Sequence, residues 1–294
     1  MRILLTGGNS FLGSNLVKKL IQFNHKLLCI KRKSSNLWRL KDIEHLISWF
    51  DLEEINFEKF FKKNKIDYVI HCATDYGRNV IDPINLININ LIIPLKLAHY
   101  ASKNNVSCFI NADTILDKRI NSYTLSKKHF LDWLKNYSNN LKIINLAFEH
   151  FYGPNDNKTK FASYIIDKLI RNEDDTEIKL TPGQQKRGFL YIDDVVDLFI
   201  ILINKEKDFS NSFYNFRVGS KDRTSIKEFV KLAKKLCNND KTNLLFGALP
   251  YRKNEIMKPP KTDIKKLADL GWKQKYSLVN GITKTIQIER KNIK

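Results

Sequence analysis

The stretch Met1-Arg-Ile-Leu-Leu-Thr-Gly-Gly-Asn-Ser-Phe-Leu-Gly13 decides the fold of this 294-residue chain. A short apolar run ends at Thr6, a glycine turn follows, and a helical pattern continues from Ser14 to Phe23. A buried strand, a tight turn and a helix N-terminus together favour an anion, because backbone N–H groups and the helix dipole both face the turn. This order predicts a site for the pyrophosphate of a dinucleotide.

Apolar runs continue to alternate with helical patterns along the first half of the chain. Residues 26–31, 66–71 and 106–110 have the pattern of strands, and residues 87–102 have that of a long helix. Strands that alternate with helices at this spacing indicate parallel pairing. We therefore predict an α/β fold with a doubly wound parallel sheet, the Rossmann architecture.

The alternation loosens beyond Gly153-Pro154, which indicates a second, smaller lobe. No long linker separates the two parts, so we expect the C-terminal lobe to be interleaved with the first and to bind the substrate. The expected dinucleotide-binding domain covers residues 1–150 plus roughly 185–219. The expected substrate lobe covers residues 151–184 plus 220–294.

The formal net charge of +20 is compatible with binding to nucleic acid or to a membrane surface. The lysines are spread along the whole chain, however, so we expect a solvated basic surface that attracts an anionic small-molecule substrate.

No apolar run is long enough to cross a bilayer, and the N-terminus lacks a signal-peptide pattern. Four widely spaced cysteines predict neither a metal site nor a disulfide framework. We expect a cytoplasmic protein with no nucleic-acid partner and no membrane insertion.

A second motif, Tyr123-Thr-Leu-Ser-Lys127, places a phenol and an ammonium one helical turn apart. A phenol is a poor acid near neutral pH unless an adjacent cation lowers its pKa, and Lys127 is placed to do so. Thr114 follows the strand at 106–110, at the sheet edge where ligands bind in open α/β folds. We therefore predict that Thr114, Tyr123 and Lys127 catalyse a hydride-transfer reaction.

The end of the second strand usually selects between the two nicotinamide dinucleotides. An acidic residue there would bind the ribose hydroxyls of NAD, but this chain has Lys31-Arg-Lys-Ser-Ser35. Arg32, Lys33 and Ser34 suit the additional phosphate of NADP. The alternative is an ordinary basic loop in a basic protein.

Further cofactor contacts are expected where the next strands end. An acidic residue after the third strand has two compatible roles, a contact near the adenine and a helix N-cap. His71 is more often a structural histidine than a catalytic one at such a position, whereas the small residues after it allow a cofactor to lie close. The cofactor residues predicted here are Asp51, Leu52, Cys72, Ala73 and Thr74.

These motifs, with Tyr152-Gly-Pro154 and Leu270-Gly-Trp272, resemble those of the extended short-chain dehydrogenase/reductases acting on nucleotide sugars, the NAD-dependent epimerase/dehydratase family. The resemblance implies an NADPH-dependent C4-ketoreductase of a CDP-linked 4-keto-6-deoxy or 3,6-dideoxy sugar, in the synthesis of surface polysaccharide such as O-antigen or capsule. An epimerase with a retained cofactor is the alternative, and an idle dinucleotide-binding protein that associates with nucleic acid is a third. The resemblance also implies a homodimer formed by helices near residues 87–103 and 122–137.

The same resemblance implies roles for individual positions. The additional cofactor residues are Gly7, Ser10, Phe11, Leu12, Gly13 and Asn90, and the substrate residues are Tyr76, His150, Phe161, Arg187 and Arg252. Phe161 and Tyr164 are equally compatible with core packing. The chain departs from the family pattern where Ser10 replaces a glycine, Ala147 an arginine and Gly188 an aspartate. We expect the departures to affect substrate identity more than reaction type.

Overall fold

The computed structural model describes residues 1–77, 82–174 and 176–293. Its strands are β1 (Arg2–Thr6), β2 (Lys26–Lys31), β3 (Ser48–Asp51), β4 (Tyr68–His71), β5 (Cys108–Thr114), β6 (Lys142–Phe148), β7 (His150–Tyr152), β8 (Glu177–Leu180), β9 (Lys186–Arg187), β10 (Phe189–Tyr191), β11 (Phe213–Val218), β12 (Thr224–Ser225) and β13 (Asn243–Phe246). Its α-helices are α1 (Phe11–Gln22), α2 (Phe57–Asn64), α3 (Pro83–Ile87), α4 (Ile93–Lys103), α5 (Ser122–Lys135), α6 (Phe161–Arg171), α7 (Ile192–Asn204), α8 (Ile226–Leu236), α9 (Ile264–Asp269) and α10 (Leu278–Ile293). Segments of 3₁₀ helix span Trp38–Leu46, Leu52–Glu54 and Glu206–Asp208, and a π-helical segment spans Asn88–Ile92.

The chain divides into two compact units. Unit 1 comprises Met1–Phe148 and Val196–Arg217, and unit 2 comprises Glu149–Val195 and Val218–Lys294. Residues 185–195, which the sequence-based boundary assigned to the dinucleotide-binding domain, lie in unit 2. These residues include β9 and β10, whose pairing partners are β12 and β7 of unit 2.

The sheet of unit 1 has the strand order β11-β6-β5-β4-β1-β2-β3. The ladders from β3 through to β6 are parallel. From β1 the chain adds β2 and β3 on one side, and it then returns to add β4, β5 and β6 on the other side. The boundary between β1 and β4 is therefore the switch point at which ligands bind in such sheets. The predicted doubly wound parallel sheet is therefore confirmed.

The core of unit 1 explains why the first residues form a strand followed by a helix. Ile3, Leu4 and Leu5 of β1 are fully buried, as strands covered on both faces require. On α1, Leu16 and Leu20 are also fully buried, one helical turn apart. Each such side chain contributes roughly 2 kcal/mol to folding by burial, so these residues fix α1 against the sheet.

Polar side chains lie across the carboxyl ends of the central strands, inside the core. Oγ1 of Thr6 lies 2.7 Å from Nδ1 of His71, which is its register partner on β4. On the next strands, Nδ2 of Asn111 donates to Oδ1 of Asn145 at 2.7 Å, and Asn145 donates to Asn215 at 2.8 Å. The core therefore becomes polar towards the edge where a polar ligand would bind.

The helix predicted over residues 87–102 is interrupted by the π-helical segment between α3 and α4. Pro94 has no N–H to donate to the carbonyl of Asn90, so regular α-helical bonding cannot continue through this point. The wider π turn places Asn90 on the inner face, where it is fully buried. Such π segments frequently occur at functional sites.

Unit 2 has a core of stacked aromatic rings beneath short strand pairs. The rings of Phe189 and Phe229 stack with centroids 4.4 Å apart, and Phe161 packs on Phe229 at 5.7 Å. Tyr152 contacts Phe189, Tyr191 and Phe229 edge-on. This cluster joins α6 and α8 to β7 and β10.

No helix within the described ranges has the length and apolar character that spanning a membrane requires.

Candidate active site

The glycine turn of unit 1 has the close backbone packing that a dinucleotide site requires. Gly7 has a φ of +71°, and a Cβ added there would lie 2.7 Å from the backbone nitrogen of Ala73. A Cβ on Gly13 would lie 2.0 Å from the carbonyl oxygen of Gly7. Only glycine fits at these two positions, so the N-terminus of α1 lies close to the turn and the site fits a pyrophosphate.

Ser10, which replaces the usual glycine, caps α1. Its Oγ accepts a hydrogen bond from the backbone N–H of Gly13 at 3.1 Å, and its own N–H donates to the carbonyl of Gly7 at 2.9 Å. Phe11 and Leu12 form the first helical positions after this cap. The serine thus stabilises the turn and leaves the helix N-terminus in place.

The basic loop after β2 is partly neutralised by the protein itself. Lys31 pairs with Asp51 at 2.5 Å, and Lys33 pairs with Glu54 at 2.5 Å. The side chain of Arg32 is exposed and makes no ion pair with any described residue. Of the three cations in this loop, Lys31, Arg32 and Lys33, Arg32 is therefore the most available to an anionic ligand.

The sequence suggested that Asp51 could cap a helix, but its side chain does not do so. It occupies the N-cap position before Leu52, but its side chain makes no capping hydrogen bond. The carboxylate pairs with Lys31 because β2 and β3 are parallel neighbours and these two residues are in register. Leu52 packs against the hydrophobic core of unit 1, and Ser34 is exposed.

The residues after β4 lie next to the glycine turn. The N–H of Cys72 donates to the carbonyl of Thr6 at 3.2 Å, and the N–H of Ala73 donates to Oγ1 of Thr6 at 3.4 Å. His71 is fully buried, and the edge of Phe130 contacts its ring. The geometry therefore indicates a structural role for His71 and places Cys72 and Ala73 beside the glycine turn.

Asn90 uses its whole amide group to hold the loop after β4. Its Oδ1 accepts from the N–H of Asp75 at 2.8 Å and from Thr74 at 3.2 Å. Its Nδ2 donates to the carbonyl of Asp75 at 2.8 Å and to Oγ of Ser126 at 3.0 Å. These bonds use the hydrogen-bonding capacity of the amide, so Asn90 holds the loop after β4 in place.

The three predicted catalytic residues come together at the carboxyl edge of the sheet. The phenol of Tyr123 lies beside the hydroxyl groups of Thr114 and Thr74. Nζ of Lys127 donates to the carbonyl oxygen of Ala112 at 2.8 Å, on the strand that ends at Thr114. The exposed ring of Tyr76 lies 5.0 Å from that of Tyr123, between centroids. The phenol thus contacts two hydroxyl groups and an aromatic side chain.

The structure corrects the expected effect of Lys127 on Tyr123. Burial raises the pKa of Tyr123, and the charges of Tyr76 and Asp113 raise it further. The hydrogen bonds with Thr114 and Thr74 oppose this change but do not reverse it. Desolvation prevails because the phenol is enclosed. The phenol therefore stays protonated at neutral pH and is a weaker acid than a free tyrosine, so it gives up its proton only to a strongly basic oxygen.

Lys127 is a buried ammonium whose charge is only partly compensated. Its side chain is 2% exposed. Burial lowers the pKa of Lys127 to about 8, while Asp113 raises it and Lys118 lowers it. The ammonium form therefore predominates only below about this pH.

Two charged residues at the site were missed from the sequence. Asp113 precedes Thr114 on β5, and Lys118 lies in the segment that leads to α5. Nζ of Lys118 donates to both carboxylate oxygens of Asp113 at 2.6 Å. A carboxylate beside a predicted catalytic threonine was a detectable signal, but its partner depends on the path of the loop.

The predicted substrate residues in unit 2 fall into two groups. Arg187 is mostly buried, pairs with Glu255, and donates to the carbonyl of Ile256 at 2.6 Å. Arg252 and His150 are exposed, and the ring of His150 contacts that of Phe189 at 6.0 Å. Arg187 is therefore held in a fixed geometry, and the other two are accessible to a ligand.

Phe161 belongs mainly to the core of unit 2 through its contact with Phe229. Tyr164, one turn later on α6, is exposed. The sequence left core packing and substrate contact open for both residues, and the structure gives a different answer for each. Phe161 fits core packing, and Tyr164 is the more accessible of the two.

Gly188 has a specific reason for lacking the family's aspartate. Its N–H donates to Oε1 of Glu149 at 2.6 Å, and Glu149 pairs with Arg223. A Cβ at position 188 would lie 2.5 Å from Nη1 of Arg223 and 2.6 Å from Oε2 of Glu149. Burial raises the pKa of Glu149, while the Gly188 N–H and Arg223 oppose that change. The Glu149–Arg223 pair therefore occupies the space beside Gly188, and these side chains would have to move to admit an aspartate there.

Comparison with known proteins agrees with this geometry. The model of the NAD dependent epimerase/dehydratase family matches residues 3–216. CDP-abequose synthase from Salmonella muenchen is 30% identical over 98% of this chain and 98% of its own. The solved UDP-glucose 4-epimerase from Thermotoga maritima has a TM-score of 0.86 at 24% identity, with 100% of both chains covered. The Thermus thermophilus UDP-glucose 4-epimerase, solved in complex with NAD, has a TM-score of 0.81 at 19% identity over 99% of each chain.

The two solved structures establish likeness of fold, and the family model and the Salmonella enzyme establish relationship. The match begins in the strand before the glycine turn and continues past Thr114, Tyr123 and Lys127. The resemblance inferred from the motifs is therefore confirmed, and the chain belongs to the NAD dependent epimerase/dehydratase family.

Proposed function

We propose that this protein is an NADPH-dependent C4-ketoreductase of a CDP-linked 4-keto-6-deoxy or 3,6-dideoxy sugar, in the cytoplasmic synthesis of surface polysaccharide such as O-antigen or capsule. The observation that carries the proposal is the half-buried Tyr123, whose phenol lies beside the Thr114 hydroxyl and which shares a helix with Lys127. The similarity to CDP-abequose synthase over nearly the whole chain supports the substrate class.

The roles of the catalytic residues follow from their surroundings. A bound nicotinamide cofactor supplies the hydride that C4 receives. Tyr123, which is protonated at neutral pH, donates its phenolic proton to the oxygen on C4, because the alkoxide that hydride transfer generates is a stronger base than the phenolate. Thr114 donates a hydrogen bond to the same oxygen, and the Lys127 ammonium stabilises the phenolate that remains.

Several features of unit 1 support NADPH as the cofactor. Gly7 and Gly13 provide the close backbone approach for the pyrophosphate. Arg32 is the exposed guanidinium at the end of β2, where the 2′-phosphate of NADP would distinguish it from NAD. Asp51 pairs with Lys31, so its carboxylate is neutralised and repels a phosphate less.

Substrate binding is assigned to five residues. Tyr76 lies beside Tyr123 and would contact the sugar. Arg187 and Arg252 would bind the diphosphate, because a guanidinium suits paired phosphate oxygens. The assigned contacts to the nucleotide are His150 and Phe161, of which Phe161 acts partly by shaping the core of unit 2.

We further propose a homodimer through α3 to α5. Ile87 on α3 and both Leu125 and Trp133 on α5 are large apolar side chains that are exposed in the single chain. Apolar surface repeated along one helix is typical of an interface between copies. Charged lysines on the remaining surface are assigned to solvation, with no nucleic-acid or membrane partner.

The proposal is tested by NADPH oxidation with CDP-4-keto-6-deoxyglucose and its 3-deoxy analogue, and with GDP-, dTDP- and UDP-linked sugars as controls. We expect NADPH consumption with a CDP sugar and its loss in Tyr123→Phe. Consumption only with another nucleotide would overturn the CDP assignment. Interconversion of C4 epimers without net NADPH consumption would overturn the reductase and favour the epimerase.

A further inference from the structure

Lys118 connects the segment before α5 to the end of β5. Its ammonium donates to Oδ1 and Oδ2 of Asp113 at 2.6 Å each, and to the carbonyl oxygen of Thr114 at 3.1 Å. Three hydrogen bonds from one ammonium use its full donor capacity. The residue therefore holds both the carboxylate of Asp113 and the backbone carbonyl of Thr114.

Asp113 is a carboxylate that the fold would not tolerate without such a partner. Its side chain is 1% exposed, and that of Lys118 is 18% exposed. The other described hydrogen bond to the carboxylate comes from Nδ2 of Asn145, at 3.3 Å. A buried carboxylate that loses its cation is left as an uncompensated charge. Lys118 therefore sets the net charge at this point of the core.

The pair faces the catalytic residues on α5. Asp113 raises the pKa of both Tyr123 and Lys127, and Lys118 lowers that of Lys127. Two further groups, which follow β4, also act on these residues: Tyr76 raises the pKa of Tyr123, and Cys72 raises that of Lys127. Lys127 in turn lowers the pKa of the buried His71. Within this set, Lys118 is the cation that opposes Asp113.

We propose that Lys118 is a positioning residue for the reaction, which orients Thr114 and cancels the charge of Asp113 beside Tyr123 and Lys127. The inference rests on the proposed function, because it assigns Lys118 a part in the proton transfer from Tyr123. Nothing in the motif that identified Thr114, Tyr123 and Lys127 required it. Its hydrogen bonds reach Asp113 and Thr114, and its charge acts on Lys127.

Two consequences follow from removing the ammonium. The backbone of Thr114 loses a hydrogen bond, so the hydroxyl that contacts Tyr123 is less well positioned. The carboxylate of Asp113 is then unopposed and stabilises the charged form of Lys127. A structural residue elsewhere would lower stability without producing the second effect.

The test compares Lys118→Met, Lys118→Arg, Asp113→Asn and the double variant Asp113→Asn/Lys118→Met, with Lys128→Met as the control for loss of an exposed lysine on α5. The readouts are kcat and KM for the sugar, the pH profile of kcat, and amide hydrogen exchange of residues 113–121. Hydrogen exchange needs no substrate and therefore does not depend on the proposed function.

We expect Lys118→Met to lower kcat roughly ten- to hundredfold, the loss that misplacement of a catalytic group produces. The fall of kcat at high pH should move upwards by about one pH unit, because Asp113 is unopposed. Asp113→Asn should move the fall downwards, because Lys118 then repels Lys127 unopposed. In the double variant, kcat should fall at the same pH as in the wild type, but its maximum should remain low. Lys118→Arg should keep both near wild type, and Lys118→Met should speed exchange at residues 113–121.

An unchanged pH profile and unchanged exchange in Lys118→Met would overturn the inference, even if kcat fell. A wild-type enzyme that consumes no NADPH with any sugar would instead overturn the proposed function. In that case faster exchange in Lys118→Met but not in Lys128→Met would support the positioning of the Thr114 backbone, and equal exchange would overturn it.

Discussion

Lys127 donates a 2.8 Å hydrogen bond to the carbonyl oxygen of Ala112, which bonds helix α5 to the strand that carries Thr114. This contact holds the buried ammonium at the carboxyl edge of the sheet. It also explains why Lys127 tolerates burial, since a carbonyl oxygen partly replaces the lost water. Burial still lowers the pKa of this ammonium, because the charged form loses its hydration.

The first prediction is a pH dependence of kcat. Burial lowers the pKa of Lys127 to about 8, so the ammonium predominates below this pH and the neutral amine above it. Reduction requires the ammonium to stabilise the Tyr123 phenolate, and kcat should therefore fall as the pH rises through about 8. Steady-state assays at saturating sugar and NADPH measure this. Lys127→Met should be slow at every pH and lack this fall, and a flat wild-type profile would contradict the role of Lys127.

The second prediction concerns the glycine turn. Gly7→Ala should destabilise the protein by roughly 3 kcal/mol or more and abolish cofactor binding, because the new Cβ meets the backbone of Ala73 at 2.7 Å and φ is positive. Gly247→Ala is a matched control, with a φ of +88° and no described heavy atom within 4 Å of the added Cβ. It should cost only about 1 kcal/mol.

Thermal and urea unfolding of the two variants, with NADPH titration, separate the steric effect from the backbone effect. Equal destabilisation in Gly7→Ala and Gly247→Ala would show that the contact with Ala73 contributes nothing.

The third prediction concerns the choice of cofactor. Arg32→Ala should raise the Kd for NADPH about ten- to hundredfold with little effect on NADH, since a hydrogen bond to a charged phosphate is lost. Lys33→Ala should have a smaller effect, because Lys33 already pairs with Glu54. Titration of cofactor fluorescence measures both. If Lys33→Ala weakens NADPH more than Arg32→Ala, the assignment of Arg32 is incorrect.

The fourth prediction concerns the dimer. Leu125→Glu and Trp133→Glu should each convert a dimer into a monomer, because a carboxylate would be buried in an apolar contact. Sedimentation velocity measures the change. Val279→Glu on α10 also places a carboxylate at an exposed apolar position, outside the proposed interface, and should leave the dimer intact. A wild-type monomer at assay concentration would contradict the proposal.

Much of the dinucleotide site followed from the sequence because its geometry is local. Gly7 and Gly13 are separated by a single turn, and Tyr123 and Lys127 by one turn of a helix. The strand alternation then placed Thr114 at the correct sheet edge. In each case short-range chain geometry determines which side chains meet.

The features that the sequence did not predict depend on distant or irregular contacts. Asp51 was weighed as an N-cap, but it pairs with Lys31 because the register of β2 and β3 aligns them. The short strands of residues 186–191 find partners in unit 2, which moved the domain boundary. The bond from Lys118 to Asp113 depends on the path of an irregular segment, to which hydrophobic periodicity gives no guide.

The raised pKa of Tyr123 was missed for a different reason. The YxxxK spacing suggested a cation beside the phenol, but spacing does not report how completely the phenol is enclosed. Desolvation is a property of the packed structure, and here it outweighs the favourable hydrogen bonds.

The measurement that tests the central claim most directly is a turnover assay with NADPH deuterated at C4, both faces assayed separately, and a CDP-4-keto-6-deoxy sugar. We expect one NADPH to be oxidised for each sugar reduced, deuterium from one face to appear at C4 of the sugar, and both signals to be lost in Tyr123→Phe while Tyr137→Phe retains them. A C4 epimer formed without net NADPH oxidation and without deuterium in the sugar would contradict the account.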